Sequence, residues 1–66
     1  MLIAKIEGTS VKIIDATTGV VRRIFNCSAF KGAKSTEILG DQIAIVCGDG
    51  KTRVFDLKNG ILKRTF

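Results

Sequence analysis

The sequence contains no histidine, proline, tryptophan or tyrosine, and only two cysteines, Cys27 and Cys47. Each absence removes a class of chemistry. Without histidine there is no imidazole to activate a serine or cysteine nucleophile. The two cysteines lack metal-site spacing, and together they can close at most one intrachain disulfide. No catalytic residue, cofactor or metal is therefore expected. No apolar run approaches the 18 residues of a membrane-spanning helix, so no membrane partner is expected. The opening MLIAKIEG lacks the basic segment and long apolar stretch of a secretory signal peptide. A cytoplasmic setting with reduced thiols is the expectation.

What is present is hydrophobic. Apolar residues make up 45% of only 66 positions, and the mean hydropathy is +0.27. A chain this short buries only about 60% of the surface that its unfolded form exposes. A core of this size rarely supplies more than about 3–5 kcal/mol, so such scaffolds usually rely on a staple or a partner. Apolar excess without a staple points to self-association. The net charge of +5 adds attraction to acidic surfaces, nucleic acid among them, without bearing on fold.

The apolar residues come in short bursts: Leu2–Ile6, Val11–Ile14, Val20–Phe25, Thr36–Leu39, Ile43–Cys47, Arg53–Leu57 and Ile61–Phe66. None sustains a helical stripe, and most are rich in β-branched residues. Between them lie Glu7-Gly8-Thr9, Thr17-Thr18-Gly19, Gly40-Asp41, Asp49-Gly50 and Asn59-Gly60. Asp-Gly and Asn-Gly favour type I′ hairpin turns. The pattern predicts an all-β, antiparallel meander of about seven strands. Several strands are apolar on both faces: Ile43, Ile45 and Cys47 oppose Ala44 and Val46. Such a sheet needs cover on both sides.

The chain also repeats itself. Residues 1–25 align without a gap onto residues 42–66, and residues 26–41 form a connecting segment with one extra strand, all within a single domain. Asp15, Gly19, Arg23 and Phe25 recur as Asp56, Gly60, Arg64 and Phe66. Ten of the 25 pairs are apolar in both copies, against about five for random pairing. The equivalent Phe25 and Phe66 are expected in the core.

The stretch Ser35–Phe66 resembles one blade of a WD40-type β-propeller. Phe55-Asp56 stands where that family has Trp-Asp, Asp49-Gly50 fits the hairpin between its second and third strands, and Asn59-Gly60 fits the turn before the outer strand. Residues 2–25 resemble a second blade without its first strand, with Ile14-Asp15 at the Trp-Asp position. The Gly-His pair of the family is missing. The resemblance implies β-propeller-like blades that are completed by homo-oligomerisation. Three chains would supply six blades, so a trimer is favoured. A small self-assembling repeat chain of this kind resembles phage accessory or virion proteins more than long cellular propellers. That analogy implies a virion-associated setting and other virion or host proteins as partners.

The residues themselves leave few other candidates. Gly48-Asp49-Gly50-Lys51-Thr52 resembles the end of a phosphate-binding loop, but that motif needs a following helix and Arg53-Val54-Phe55 reads as strand. Among the carboxylates, Asp15 and Asp56 stand at strand ends before turns, where Asp caps backbone N–H groups. Cys47 reads as a small buried hydrophobe. The basic residues Arg22, Arg23, Lys63 and Arg64 fall on the last strand of each repeat, and Lys12 and Arg53 recur with the same period. They guard an edge against pairing, or they form a nucleic-acid-binding ring. Phe30 and Lys31 mark the one irregular stretch, a candidate partner-contact loop or a cover for a sheet end. The leading expectation is a non-enzymatic structural or interaction module. The alternatives are the basic ring and a lectin-like ligand site between subunits.

Overall fold

A computed structural model describes all 66 residues. It contains seven strands: β1 (Leu2–Glu7), β2 (Ser10–Asp15), β3 (Val21–Asn26), β4 (Ala33–Leu39), β5 (Gln42–Cys47), β6 (Thr52–Asp56) and β7 (Leu62–Thr65). They form a three-stranded sheet β1-β2-β3 and a four-stranded sheet β4-β5-β6-β7, both antiparallel meanders. The all-β reading is therefore correct. A short 3-10 turn at Ser28–Phe30 links the sheets.

The inner faces of the two sheets form one core. Val11, Ile13 and Phe25 from the first sheet meet Ile43, Ile45 and Cys47 from the second, and Cys27 from the link joins them. Phe25 and Phe55 span the interface with ring centroids 4.8 Å apart. Each fully buried aliphatic side chain here contributes about 1.5–3 kcal/mol.

The repeat survives in the turns. Gly19 N–H donates to the Asp15 carbonyl at 2.7 Å, and Gly60 N–H donates to the Asp56 carbonyl at 2.8 Å. Asp15 N–H reaches the Val20 carbonyl, and Asp56 N–H reaches the Ile61 carbonyl, both at 2.9 Å. A register shift falls at Ile13/Ile14 in one sheet and at Val54/Phe55 in the other, which are equivalent positions.

The first hairpins differ, and the difference turns a strand over. Gly8-Thr9 joins β1 to β2 as a two-residue loop with positive φ only at Gly8, the type II′ pattern. The β5–β6 loop is one residue longer. Cys47 N–H donates to the Lys51 carbonyl, Gly50 N–H donates to the Cys47 carbonyl, and Gly50 takes φ +87°. This is a type I turn closed by a glycine bulge. The expected type I′ turn is absent, because Asp49 keeps negative φ. The Asn59-Gly60 turn departs in the same way, since only Gly60 has positive φ.

One extra residue moves every side chain of the following strand to the opposite face. Ile6 faces Val11 across the first sheet, but Thr52, the equivalent of Val11, faces Val46 rather than Cys47. Ile13 therefore points into the core, whereas Val54, its repeat mate, points outward. Phe25 and Phe66 part company for the same reason. Phe25 is 7% exposed and Phe66 is 71% exposed. The expectation that Phe66 lies in this core is thus corrected.

Candidate functional site

The outer face of the four-stranded sheet follows from strand alternation. β5 places Gln42, Ala44 and Val46 there, opposite Asp56, Val54 and Thr52 of β6. Val54 pairs with Arg64 of β7. Phe66 continues that strand, exchanging backbone bonds of 2.8 and 3.2 Å with Thr52. Leu39 pairs with Gln42 from β4. Leu39, Gln42, Val54, Lys63, Arg64 and Phe66 line an open cleft of about 480 Å³.

The outer face of the three-stranded sheet is also apolar. Ile3, Ile14 and Val21 form one row across it, and Ile24 sits beside Lys12 and Lys5 in the next. Ile3, Val21 and Ile24 are 43%, 43% and 55% exposed. On the four-stranded sheet Val54 is only 7% exposed, but Leu39 and Phe66 are 50% and 71% exposed, so neither outer face is fully covered within the chain.

The six basic residues go to different places. Arg23 lies on the edge strand β3 as expected, but its side chain shares the inner face with Ile13. Its Nε donates to the Leu57 carbonyl at 3.2 Å, and its Nη2 donates to the Lys58 carbonyl at 2.7 Å. It ties the first sheet to the β6–β7 turn. Arg53 lies over the Phe30 ring at 3.7 Å and makes paired bonds of 3.2 and 3.0 Å with the Asp49 carboxylate. Lys12 pairs with Glu7 at 2.7 Å, Arg22 with Asp15 at 3.4 Å and Lys63 with Asp56 at 3.9 Å. Arg64 alone of the six makes no hydrogen bond or ion pair.

Phe30 is half-buried beneath Arg53 and against the core, so it covers a sheet end. Lys31 beside it is exposed, with φ +64°. Sequence pattern hid both the stacked Arg53 and the bridging Arg23, because each depends on contacts between separate segments. The single advance sign was that Arg23 recurs as Arg64.

The carboxylates serve turns and ion pairs. Asp15 Oδ1 accepts from Thr17 N–H at 2.9 Å, and Asp56 Oδ1 accepts from Lys58 N–H at 2.7 Å. These backbone donors hold both aspartates below the usual carboxylate range. Arg53 does the same for Asp49, and Lys12 followed by Lys5 does so for Glu7. No three metal-ligating side chains converge.

Both cysteines are fully buried and free. Burial, then the neighbouring Cys47, pushes the Cys27 thiol up. The phosphate-loop segment Gly48–Thr52 runs into strand β6 and starts no helix.

No protein-family model matches this chain, and no curated protein or solved structure does so either.

Proposed function

We propose that the chain is a non-enzymatic structural module whose copies stack sheet on sheet into a closed homo-oligomer. The observation that carries this reading is the equivalence of faces. The outer side of β6 and β7 presents Thr52, Val54, Arg64 and Phe66. These are the repeat mates of Val11, Ile13, Arg23 and Phe25, which form the inner face of the first sheet. Conversely, the outer Lys12, Ile14 and Val21 are mates of Arg53, Phe55 and Leu62, on the inner side of the second sheet.

The contact inside one chain thus has repeat-equivalent residues on the two outer faces, identical at Arg64 and Phe66 and different in type at the other positions named. The outer face (front) of the four-stranded sheet would pack on the outer face (back) of the next copy's three-stranded sheet. Such head-to-tail contacts close into rings when the rotation permits. Three copies would give six propeller-like blades, in keeping with the WD40-type resemblance. A structural role in a phage virion remains the setting that the analogy suggests.

Stacking would also occupy the cleft beside Val54 and Phe66, where a small ligand would otherwise sit. For a nucleic-acid ring, Arg64 is the only one of the six basic residues without a partner in the chain. Both alternatives therefore have less support than self-assembly.

Light scattering tests the proposal. The expected mass is about 21 kDa, three times the 7.1 kDa chain. A 7.1 kDa species at millimolar concentration would refute it.

A further inference from the structure

The bridge made by Arg23 has an unused counterpart. Its guanidinium meets the turn Leu57–Gly60, bonding two carbonyls and lying against Gly60. The repeat mate of that turn is Ala16–Gly19, and the repeat mate of Arg23 is Arg64. The two turns share their backbone bonds, and Gly19 has φ +77° where Gly60 has φ +74°.

No arginine of the same chain bridges to the Ala16–Gly19 turn. Nothing lies within 4 Å of the position that a Cβ on Gly19 would take, whereas a Cβ on Gly60 would meet Arg23 Nη1 at 2.5 Å. The carbonyls of Ala16 and Thr17, mates of the two acceptors, take no backbone hydrogen bond. Arg64 points from the outer face of the four-stranded sheet without a partner. The donor and its acceptor turn lie on the two sheets whose outer faces are not fully covered.

We propose that Arg64 of one copy docks on the Ala16–Gly19 turn of the next, repeating between chains the bridge that Arg23 makes within one. This rests on the stacking reading and adds the contact that fixes its register. The ligand is a second copy of this chain. The guanidinium fork would donate to the Ala16 and Thr17 carbonyls and lie against Gly19, a geometry that an ammonium cannot match.

Sedimentation equilibrium on four proteins tests it: the native chain, Arg64→Ala, Arg64→Lys and Lys51→Ala. Lys51→Ala removes one positive charge from the exposed β5–β6 loop. The docked guanidinium predicts that Arg64→Ala weakens association by about tenfold or more, a typical cost of losing charged hydrogen bonds. Arg64→Lys should weaken it nearly as much, and Lys51→Ala by less than about threefold. Thermal unfolding of dilute, dissociated Arg64→Ala should stay close to that of the dissociated native chain, since the Arg64 side chain makes no hydrogen bond or ion pair within it.

Native association left intact in Arg64→Ala, or fully restored by Arg64→Lys, would overturn the docking contact while sparing the stacking reading. Equal losses in Arg64→Ala and Lys51→Ala would reduce it to net charge. A native chain that stays monomeric would refute both.

Discussion

Arg23 and Gly60 touch across the chain: a Cβ on Gly60 would stand 2.5 Å from Arg23 Nη1. The glycine thus serves two needs at once. Its φ of +74° closes the β6–β7 turn, and its bare α-carbon leaves room for the guanidinium. Replacing Arg23 with Ala should lower stability by roughly 1–3 kcal/mol, since two charge-assisted bonds to carbonyls are lost. Arg23→Lys should recover little of that, because a single ammonium cannot serve both acceptors as the fork does. Urea unfolding of the three proteins measures both effects. Full rescue by lysine would show that charge, rather than geometry, matters there.

Gly48 is the second tight point. A Cβ there would run into the backbone carbonyl of Lys31. The approach is fixed by Gly48 N–H donating to the Gly32 carbonyl at 2.9 Å, and by Asp49 N–H donating to the Phe30 carbonyl at 3.0 Å. Backbone cannot yield as a side-chain tip can. Gly48→Ala should therefore cost at least about 2 kcal/mol, at the upper end of overpacking effects. By contrast, nothing lies within 4 Å of a Cβ on Gly40, where only the φ of +65° resists substitution. Gly40→Ala should cost about 1 kcal/mol. Thermal melts of the two variants should separate them in that order.

The thiols give a probe of opening. Cys27 and Cys47 are 0% exposed, and burial holds the Cys27 thiol in its neutral, unreactive form. A thiol reagent at neutral pH should therefore label the native chain only through unfolding, and label both cysteines at once in denaturant. Rapid labelling of either in native conditions would contradict the core described for this chain.

Acid should weaken the fold. Glu7, Asp15, Asp49 and Asp56 all have folded values below their ordinary ones. Such groups stabilise the folded state above their unfolded values, near pH 4. That contribution disappears as pH falls through the depressed folded values. With no histidine, the stability curve should stay nearly flat from about pH 5 to 8. Asp56→Asn keeps an oxygen to accept from Lys58 N–H but cannot titrate. It should make the acid limb shallower, as followed by melting temperature from pH 2 to 7.

Much of this architecture is legible in residue order. Bursts of Ile and Val between glycine turns mark the strands, and the recurrence of Asp15 and Asp56 marks two equivalent turns. What the alignment misses is a face. It treats Ile13 and Val54 as equals, yet one longer hairpin loop sends them to opposite sides of their sheets. β5 tolerates the flip because it is apolar on both faces. The site was also partly hidden. Arg23 and Arg64 look identical as letters, and only the three-dimensional register shows that one is engaged and the other is open. Phe30 gave no local sign of the Arg53 stack, since 23 positions separate the pair.

The central claim is that the front of one copy's four-stranded sheet covers the back of the next copy's three-stranded sheet. Isotope-filtered NMR on an equal mixture of labelled and unlabelled chains tests it most directly, because it reads only contacts between copies. Phe66 ring protons of one copy should show cross-peaks to Ile14 and Val21 methyls of another, as Phe25 meets Phe55 within the chain. Cross-peaks confined to Ile14 with Ile14, or to Phe66 with Phe66, would mean face-to-same-face pairing. That result, or no intermolecular cross-peaks at millimolar concentration, would contradict the account.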